Sequence, residues 1–287
     1  MIKGTAIVVT YNSAVWTERC LEALLAQQGW EVLMIDNASE DDTVSRALRF
    51  AGQARIYRNS VNTGFAGGVN QGVRLASGDT LALVNPDAVA APGALDKLAE
   101  SLSRHNAGAV GGLLLVEDGK PQTGNMVRRL PTLGSALAEL LLLNNIWRRN
   151  PWNRAYRCLD LDYTKPQEVE NPAGASLMFR RSVWDAVGGF DEGFFPVWFE
   201  DADFCACVRK AGWKIMYEPT AVFDHGRAQR EPNLVLRSPA DLVSEHAAIL
   251  WQASWADTAR YFARGNILWI DGASLVMFSD EAAENQP

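Results

Sequence analysis

The chain has 287 residues, 48% of them hydrophobic and 21% charged, the composition of a globular protein long enough to bury a core. Its formal net charge of −7 argues against a nucleic-acid scaffold, which holds phosphate backbones through an excess of lysine and arginine. An anionic nucleotide stays compatible with that charge, because a metal ion and helix N-termini supply positive field locally.

Ala6, Ile7, Val8 and Val9 form a continuous apolar run, as in a strand buried on both faces of a parallel sheet. After a turn at Tyr11, Asn12 and Ser13, a helix is expected from the spacing of Trp16, Cys20, Leu21, Leu24 and Leu25. Residues 31–35 read as a second strand ending at Asp36 and Asn37. Ser39 or Asp41 is placed to cap a helix running through Val44, Leu48 and Phe50. Residues 54–57 read as a third strand. The glycine-rich stretch 62–72 reads as a loop leading into a short helix through Val73, Leu75 and Ala76, and residues 80–84 as a fourth strand closed by Asn85, Pro86 and Asp87. This alternation predicts an α/β fold with a doubly wound, mostly parallel sheet and ligands at the carboxyl ends of its strands.

The second half is less regular. Residues 109–116 read as a strand, Gly119 as a hairpin turn, 132–147 as a helix and 148–170 as a long loop. A strand at 175–179 precedes a helix at 181–187 stopped by Gly188 and Gly189. Another helix begins at Glu200 or Asp201 and ends at Gly212. Two short strands are expected at 215–217 and 221–223, a helical stretch at 240–264, and an acidic, disordered tail. The expected layout is one domain over 1–235, with a nucleotide-binding half (1–110) and an acceptor-binding half (111–235). A helical segment follows at 236–275 and a tail at 276–287.

Cys20, Cys158, Cys205 and Cys207 lack zinc-like or disulfide-framework spacing and read as thiols in a reducing cytoplasm. No secretory leader or membrane span is expected, since no apolar stretch approaches the roughly 18 residues a span needs. The 133–147 stretch reads as an amphipathic helix, either packed on the core or lying on a membrane surface.

Four constellations carry chemistry. In the first, Thr10, Tyr11 and Asn12, then Asp36 and Asn37, then Asn85 and Asp87, stand at three strand ends that converge in a doubly wound sheet. Asp36 could accept hydrogen bonds from a pyrimidine or ribose, Tyr11 could pack beside the base, and Asp87 is a hard oxygen ligand suited to Mg²⁺ or Mn²⁺. Either aspartate could equally well cap a turn. In the second, the glycines from Asn62 through Gly64, Phe65 and Asn70 to Gly72 permit close backbone approach to a ligand. Their spacing is not that of a dinucleotide fingerprint. In the third, Glu200, Asp201 and Asp203 follow the aromatics Phe194, Phe195, Trp198 and Phe199 at a helix start. Acids there suit the helix dipole, and carboxylates beside flat apolar faces also suit a sugar site. In the fourth, His225 stands at a strand end as a residue of structure or as an imidazole ligand to the same metal.

Taken together, VVTYNS (8–13), IDNASEDDT (35–43), RNSVNTGFAGGVNQG (58–72), LVNPDA (83–88), GASLMFRRSVWDAVGGFDEGFF (174–195) and WFEDADFC (198–205) resemble glycosyltransferase family 2, in its rhamnosyltransferase-like branch. The resemblance implies a GT-A fold and a nucleoside-diphosphate sugar donor. It sets Asn85, Pro86 and Asp87 where the family carries its metal-binding Asp-x-Asp, with asparagine in place of the first acid and Asp87 as the expected ligand. It also implies that Thr10, Tyr11, Asn12 and Asp36 hold the nucleoside. Asp201 matches the catalytic base, with Glu200 as the alternative, and His225 completes the metal site. Gly174, Trp198 and Phe199 are the expected acceptor contacts.

The activity so implied is an inverting, metal-dependent sugar transfer, using Mg²⁺ or Mn²⁺, to a glycan or lipid-linked acceptor in cell-surface polysaccharide synthesis. The expected donor is dTDP-rhamnose, ahead of a UDP-sugar. Location in the cytoplasm, with peripheral contact at the inner face of the plasma membrane, completes the expectation, and residues 240–270 are expected either to pack on the core or to form a homodimer contact. A nucleotidylyltransferase would need a basic glycine-rich loop after the first strand, where Thr10, Tyr11 and Asn12 stand instead. A non-catalytic nucleotide-sugar-binding protein would not need Asp36, Asp87, Glu200 and Asp201 together.

Overall fold

The computed structural model describes residues 2–116, 118–130, 147, 150–197 and 199–225. Its first half is built from β1 (Gly4–Thr10), α1 (Ala14–Leu25), β2 (Trp30–Asp36), α2 (Thr43–Ala47), β3 (Arg55–Arg58), α3 (Gly64–Leu75), β4 (Thr80–Val84), β5 (Val89–Ala90) and α4 (Ala94–Arg104). The second half contributes β6 (Ala109–Leu115), β7 (Val127–Arg128), α5 (Pro151–Tyr156), β8 (Gln167–Glu168), β9 (Asn171–Pro172), β10 (Ser176–Arg180), α6 (Arg181–Val187), α7 (Glu200–Lys210) and β11 (Ile215–Asp224).

One nine-stranded sheet runs through both halves in the order β3-β2-β1-β4-β10-β6-β11-β5, with β8 paired to β11. Strands β3, β2, β1 and β4 are parallel, and every residue of β1 is buried, as the apolar run predicts. Because β1 has β2 on one side and β4 on the other, the connection order reverses there, and a crevice opens outside the carboxyl ends of these strands. β10 enters antiparallel, pairing Ser176 with Val84. Its leading residues, Gly174 and Ala175, therefore stand at the carboxyl end of β4, beside Asn85. This one reversed strand carries the second half of the chain to the crevice.

Helices lie against the sheet through small, regularly spaced apolar stripes. Cys20, Leu21 and Leu24 of α1 and Leu95, Leu98 and Leu102 of α4 are buried. Phe179 of β10, Trp184 of α6, Phe190 and Phe204 of α7 stack in one cluster, with ring centroids 4.9 to 5.3 Å apart. Aromatic pairs at such distances add to area burial, so the cluster fixes α7 on the sheet and with it the acids of its first turn.

Four expectations change. The glycines of 62–72 lie inside α3 rather than in a loop. A Cβ on Gly72 would stand 2.5 Å from Ile7 Cγ2, and one on Gly68 2.7 Å from Val9 Cγ1. These glycines let the helix sit tight on β1, and that packing outweighs their poor helix propensity. The helix expected through Val44, Leu48 and Phe50 is a short α2 followed by a 3₁₀ turn over Leu48–Phe50. The two short strands near 215–223 are one strand, β11, whose register against β6 shifts between Glu218 and Val222 around Pro219. The stretch 148–170 is not wholly loop: Asn150 caps α5 by accepting from Asn153 N at 2.9 Å, with Pro151 at its first position, and β8 follows. The helix expected at 132–147, apart from Trp147, the one expected at 240–264, the C-terminal tail and Trp198 lie outside the described residues.

Candidate active site

The crevice is assembled from three sides. On the first, Thr10 and Asp36 end β1 and β2 as register partners. Asp36 is fully buried and hydrogen-bonded throughout. Its Oδ1 accepts from Thr10 Oγ1 at 3.1 Å and Ser39 Oγ at 2.5 Å, and its Oδ2 accepts from Ser39 N at 3.0 Å. Asp36 thus organises the 37–39 loop at the edge of the crevice. Asn37, also buried, donates to Gly64 O at 2.7 Å and accepts from Asn59 Nδ2 and Thr63 Oγ1 at 2.9 and 3.0 Å. It clamps this loop to the start of α3.

Tyr11 and Asn12 project outward from the same edge and are exposed. Asn12 has φ +48°, and its side chain and backbone hold the neighbouring loop: Asn12 N donates to Ser39 Oγ and Glu40 N donates to Asn12 Oδ1, both at 2.9 Å. Next to it opens a cleft of about 530 Å³ lined by Ala38, Ser39, Glu40, Arg58, Asn59 and Ser60. Arg58 donates from Nη2 to Ser39 O at 3.2 Å, and its Nε lies 4.0 Å from Asp36 Oδ2. Glu40 and Arg58 were not anticipated from sequence, where a strand-terminal arginine and a loop glutamate carry no signal of a shared cleft.

On the second side, Asp87 faces His225 from the end of β11, with Oδ1 3.4 Å from Nε2. The His225 Nδ1 lies 3.0 Å from Gln122 Oε1, an acceptor to which Nδ1–H can donate, and Nε2 is the ring atom that faces Asp87. His225 N donates to Leu115 O at 2.8 Å, fixing the backbone as well. Two ligand atoms held at about 2.1 Å from one divalent ion at roughly right angles stand about 3 Å apart. The carboxylate–imidazole pair therefore has the spacing and donor chemistry of two of the six ligands of a Mg²⁺ or Mn²⁺ site. Among the described residues no group of three or more His, Cys, Asp or Glu gathers at one point. Gln122, buried and absent from the sequence-based site, is the orienting partner of the imidazole. Beneath this loop Cys20 donates to Asn85 O at 3.5 Å, and burial, with the nearby Asp87 charge, pushes its thiol far above the usual range.

On the third side, Asp201 opens α7 together with Glu200 and Asp203, three acids at the positive end of the helix. Asp201 Oδ2 accepts from Gly174 N at 3.1 Å and Oδ1 from Ala202 N at 2.8 Å. Glu200 and Asp203 are buried while Asp201 is partly open, so of the pair Asp201 is the one with access to the crevice. The turn before it is tightly drawn: Phe199 has φ +75°, and Phe65 N donates to Pro196 O at 2.8 Å. Gly64, at φ +76°, lies against this turn, where a Cβ would meet Phe195 at 2.9 Å. Asn62 accepts from Gly64 N at 2.8 Å. Asn70 exchanges hydrogen bonds with the Phe190 backbone at 2.9 and 3.1 Å and donates to Glu192 at 2.8 Å. Asn62 and Asn70 thus brace α3 and its neighbours in this geometry.

The sides meet at Gly174 and Ala175. Asn85 N donates to Ala175 O at 3.2 Å, and the adjacent Gly174 N donates to Asp201. The loop bearing Asp87 and the helix bearing Asp201 are thus tied to one dipeptide.

A parallel nucleotide-type half joined through a reversed strand to a second half, with a carboxylate–imidazole pair and a helix-start aspartate between them, defines a GT-A glycosyltransferase. Solved structures agree on the fold: a mannosyltransferase from Pyrobaculum calidifontis in complex with GDP-Man and Mn²⁺ superposes with a TM-score of 0.56 at 20% identity, over 89% of this chain. This chain spans 64% of the length of that one. The sequence profile of Glycosyl transferase family 2 matches residues 5–188, and the chain belongs to that family. It is 32% identical over 256 residues to the N-acetylglucosaminyl-diphospho-decaprenol L-rhamnosyltransferase of Mycobacterium tuberculosis, covering 84% of this chain and 80% of that one. It is 24% identical to the glucosyl-dolichyl phosphate glucuronosyltransferase of Haloferax volcanii, over 78% of this chain and 69% of that relative.

Proposed function

We propose that the protein is an inverting, divalent-metal-dependent glycosyltransferase that moves rhamnose from dTDP-rhamnose to a hydroxyl of a lipid-linked glycan at the cytoplasmic side of the cell envelope. The observation that carries this reading is the junction at Gly174 and Ala175, which ties the Asp87 loop and the helix of Asp201 to one dipeptide. A donor diphosphate near Asp87 and an acceptor hydroxyl near Asp201 then approach one anomeric carbon from two directions. The relative named as a rhamnosyltransferase with a diphospho-decaprenol acceptor supports the sugar and the acceptor class. UDP-hexose and UDP-galactofuranose are the next donors to test.

In the proposed reaction Asp201 takes the proton of the acceptor hydroxyl, and the oxygen bonds to the anomeric carbon. The bond from that carbon to the diphosphate oxygen breaks on the opposite face, and the nucleoside diphosphate leaves. Gly174 N–H keeps the Asp201 carboxylate aimed by bonding Oδ2. Asp87 and His225, the latter oriented by Gln122, would hold Mg²⁺ or Mn²⁺, which neutralises charge on the departing diphosphate. Thr10, Tyr11, Asn12 and Asp36, with the neighbouring cleft at Glu40 and Arg58, receive the nucleoside, and Asp36 and Asn37 also hold that loop in shape. Gly174, Trp198 and Phe199 remain the proposed acceptor side.

A panel of nucleotide-sugars scored by release of nucleoside diphosphate, with and without chelator, tests the reading. Release from dTDP-rhamnose that stops on chelation supports it. Tight nucleotide binding with no release from any donor would assign the protein to the binding class instead.

A further inference from the structure

We propose that Trp147 and the segment 150–159 form a docking surface for an anionic phospholipid bilayer. Residues 150–159 carry two arginines, Arg154 and Arg157, and no acidic residue, in a chain whose net charge is −7. Such a local reversal of sign attracts a negatively charged surface even on an acidic protein. The apolar part is in the open: Trp147 is 55% exposed, Trp152 45% and Leu159 39%. Tryptophan at a bilayer boundary buries its ring and keeps its N–H at the headgroups. Pro151, Trp152, Arg154 and Ala155 of α5 are exposed, while Asn153 and Tyr156 are buried and fix the turn to the body of the protein. The nearest acids have their own partners: Asp160 pairs with Arg129 at 2.8 Å, feeling Arg154 more weakly, and Asp162 pairs with Lys165 at 2.8 Å.

The position of this surface matters for the reaction. Arg129 N donates to Tyr156 O at 2.9 Å, and Arg128 packs over the Tyr156 ring at 6.0 Å, so α5 is joined to β7. β7 pairs with β9, and β9 leads into Gly174, which bonds Asp201. A bilayer seated on α5 is connected through one short hydrogen-bonded path to the acceptor side of the crevice. The inference names a partner for the acceptor side of the proposed function. Its test uses neither donor nor acceptor, so the two stand or fall separately.

The test is co-sedimentation of the full chain with phosphatidylcholine vesicles and with vesicles of phosphatidylcholine and phosphatidylglycerol. Binding to the anionic vesicles alone, weakened by added salt, is expected. Arg154→Ala should weaken partitioning about fivefold and Trp152→Ala should weaken it further, each with an unchanged thermal midpoint because both side chains are exposed. No sedimentation with either vesicle, or equal sedimentation with both and no effect of the two variants, overturns the proposal. A Trp152-dependent dimer without vesicle binding also overturns it, by assigning the surface to a second copy of the chain.

Discussion

The backbone N–H of Gly174 donates to Asp201 Oδ2 at 3.1 Å, joining the turn before β10 to the first turn of α7 across 27 positions of sequence. Gly174 is buried, and a Cβ there would stand 3.5 Å from the Asp201 Cβ, ordinary contact distance. The bond holds one carboxylate oxygen and leaves the group partly open to the crevice.

Replacing Asp201 with Asn keeps the shape and removes the base. Transfer should fall by about 10²- to 10⁴-fold while donor nucleotide binding, followed by calorimetry, changes little. Retained turnover in Asp201→Asn would move the base to Glu200.

Gln122 makes no direct contact with a donor in the proposed mechanism; it orients His225. Gln122→Ala should weaken activation by Mn²⁺ about 10- to 100-fold, read as a rise in the metal concentration needed for half-maximal rate. At saturating metal the rate should recover, an outcome that loss of a purely structural residue would not give.

Gly72→Ala sets two effects against each other. Alanine favours the helix by about 1 kcal/mol, whereas an added methyl in a tight core costs about 1–3 kcal/mol. The new Cβ would stand 2.5 Å from Ile7 Cγ2, and Ile7 is buried in the middle of β1. The crowding wins, and denaturant unfolding should show net destabilisation.

Glu31 gives the fold an acid-sensitive tie. Burial raises its carboxyl pKa, but hydrogen bonds from Thr5 Oγ1, Ser77 N, Arg55 Nη1 and Ser77 Oγ outweigh that and hold it below its ordinary value of 4.5. A carboxyl with a depressed folded pKa stabilises the protein above its unfolded value and loses that contribution as pH falls through the folded one. Glu31→Gln should therefore cost roughly 1–3 kcal/mol at neutral pH, with the difference from the parent shrinking as the medium is acidified below about pH 4.5. Unfolding curves at a series of pH values check the sign.

The alternating first half was legible because its strands are continuous apolar runs and its helices carry regular stripes, as in Ile7 to Val9 and Cys20 to Leu24. The glycines of α3 misled because propensity speaks against a helix, while the reason for them, contact with Ile7 and Val9, lies across the fold. Pro219 split β11 for the same kind of reason: a register shift is visible only once β6 is beside it. At the site, the directions of side chains were not legible. Asp36 and Asp87 look alike at strand ends, yet one is closed in by Thr10 and Ser39 and the other faces His225. Gln122, 103 residues from His225 in sequence, carries no local mark of its role.

The central claim is that the chain transfers a sugar from a nucleoside diphosphate with a metal held at Asp87 and His225. Its most direct test is nucleoside-diphosphate release from dTDP-rhamnose by the parent protein and by Asp87→Ala, each assayed with Mn²⁺ and with chelator. The account predicts release only for the parent with metal. Equal release by Asp87→Ala, or release that persists under chelation, would contradict it.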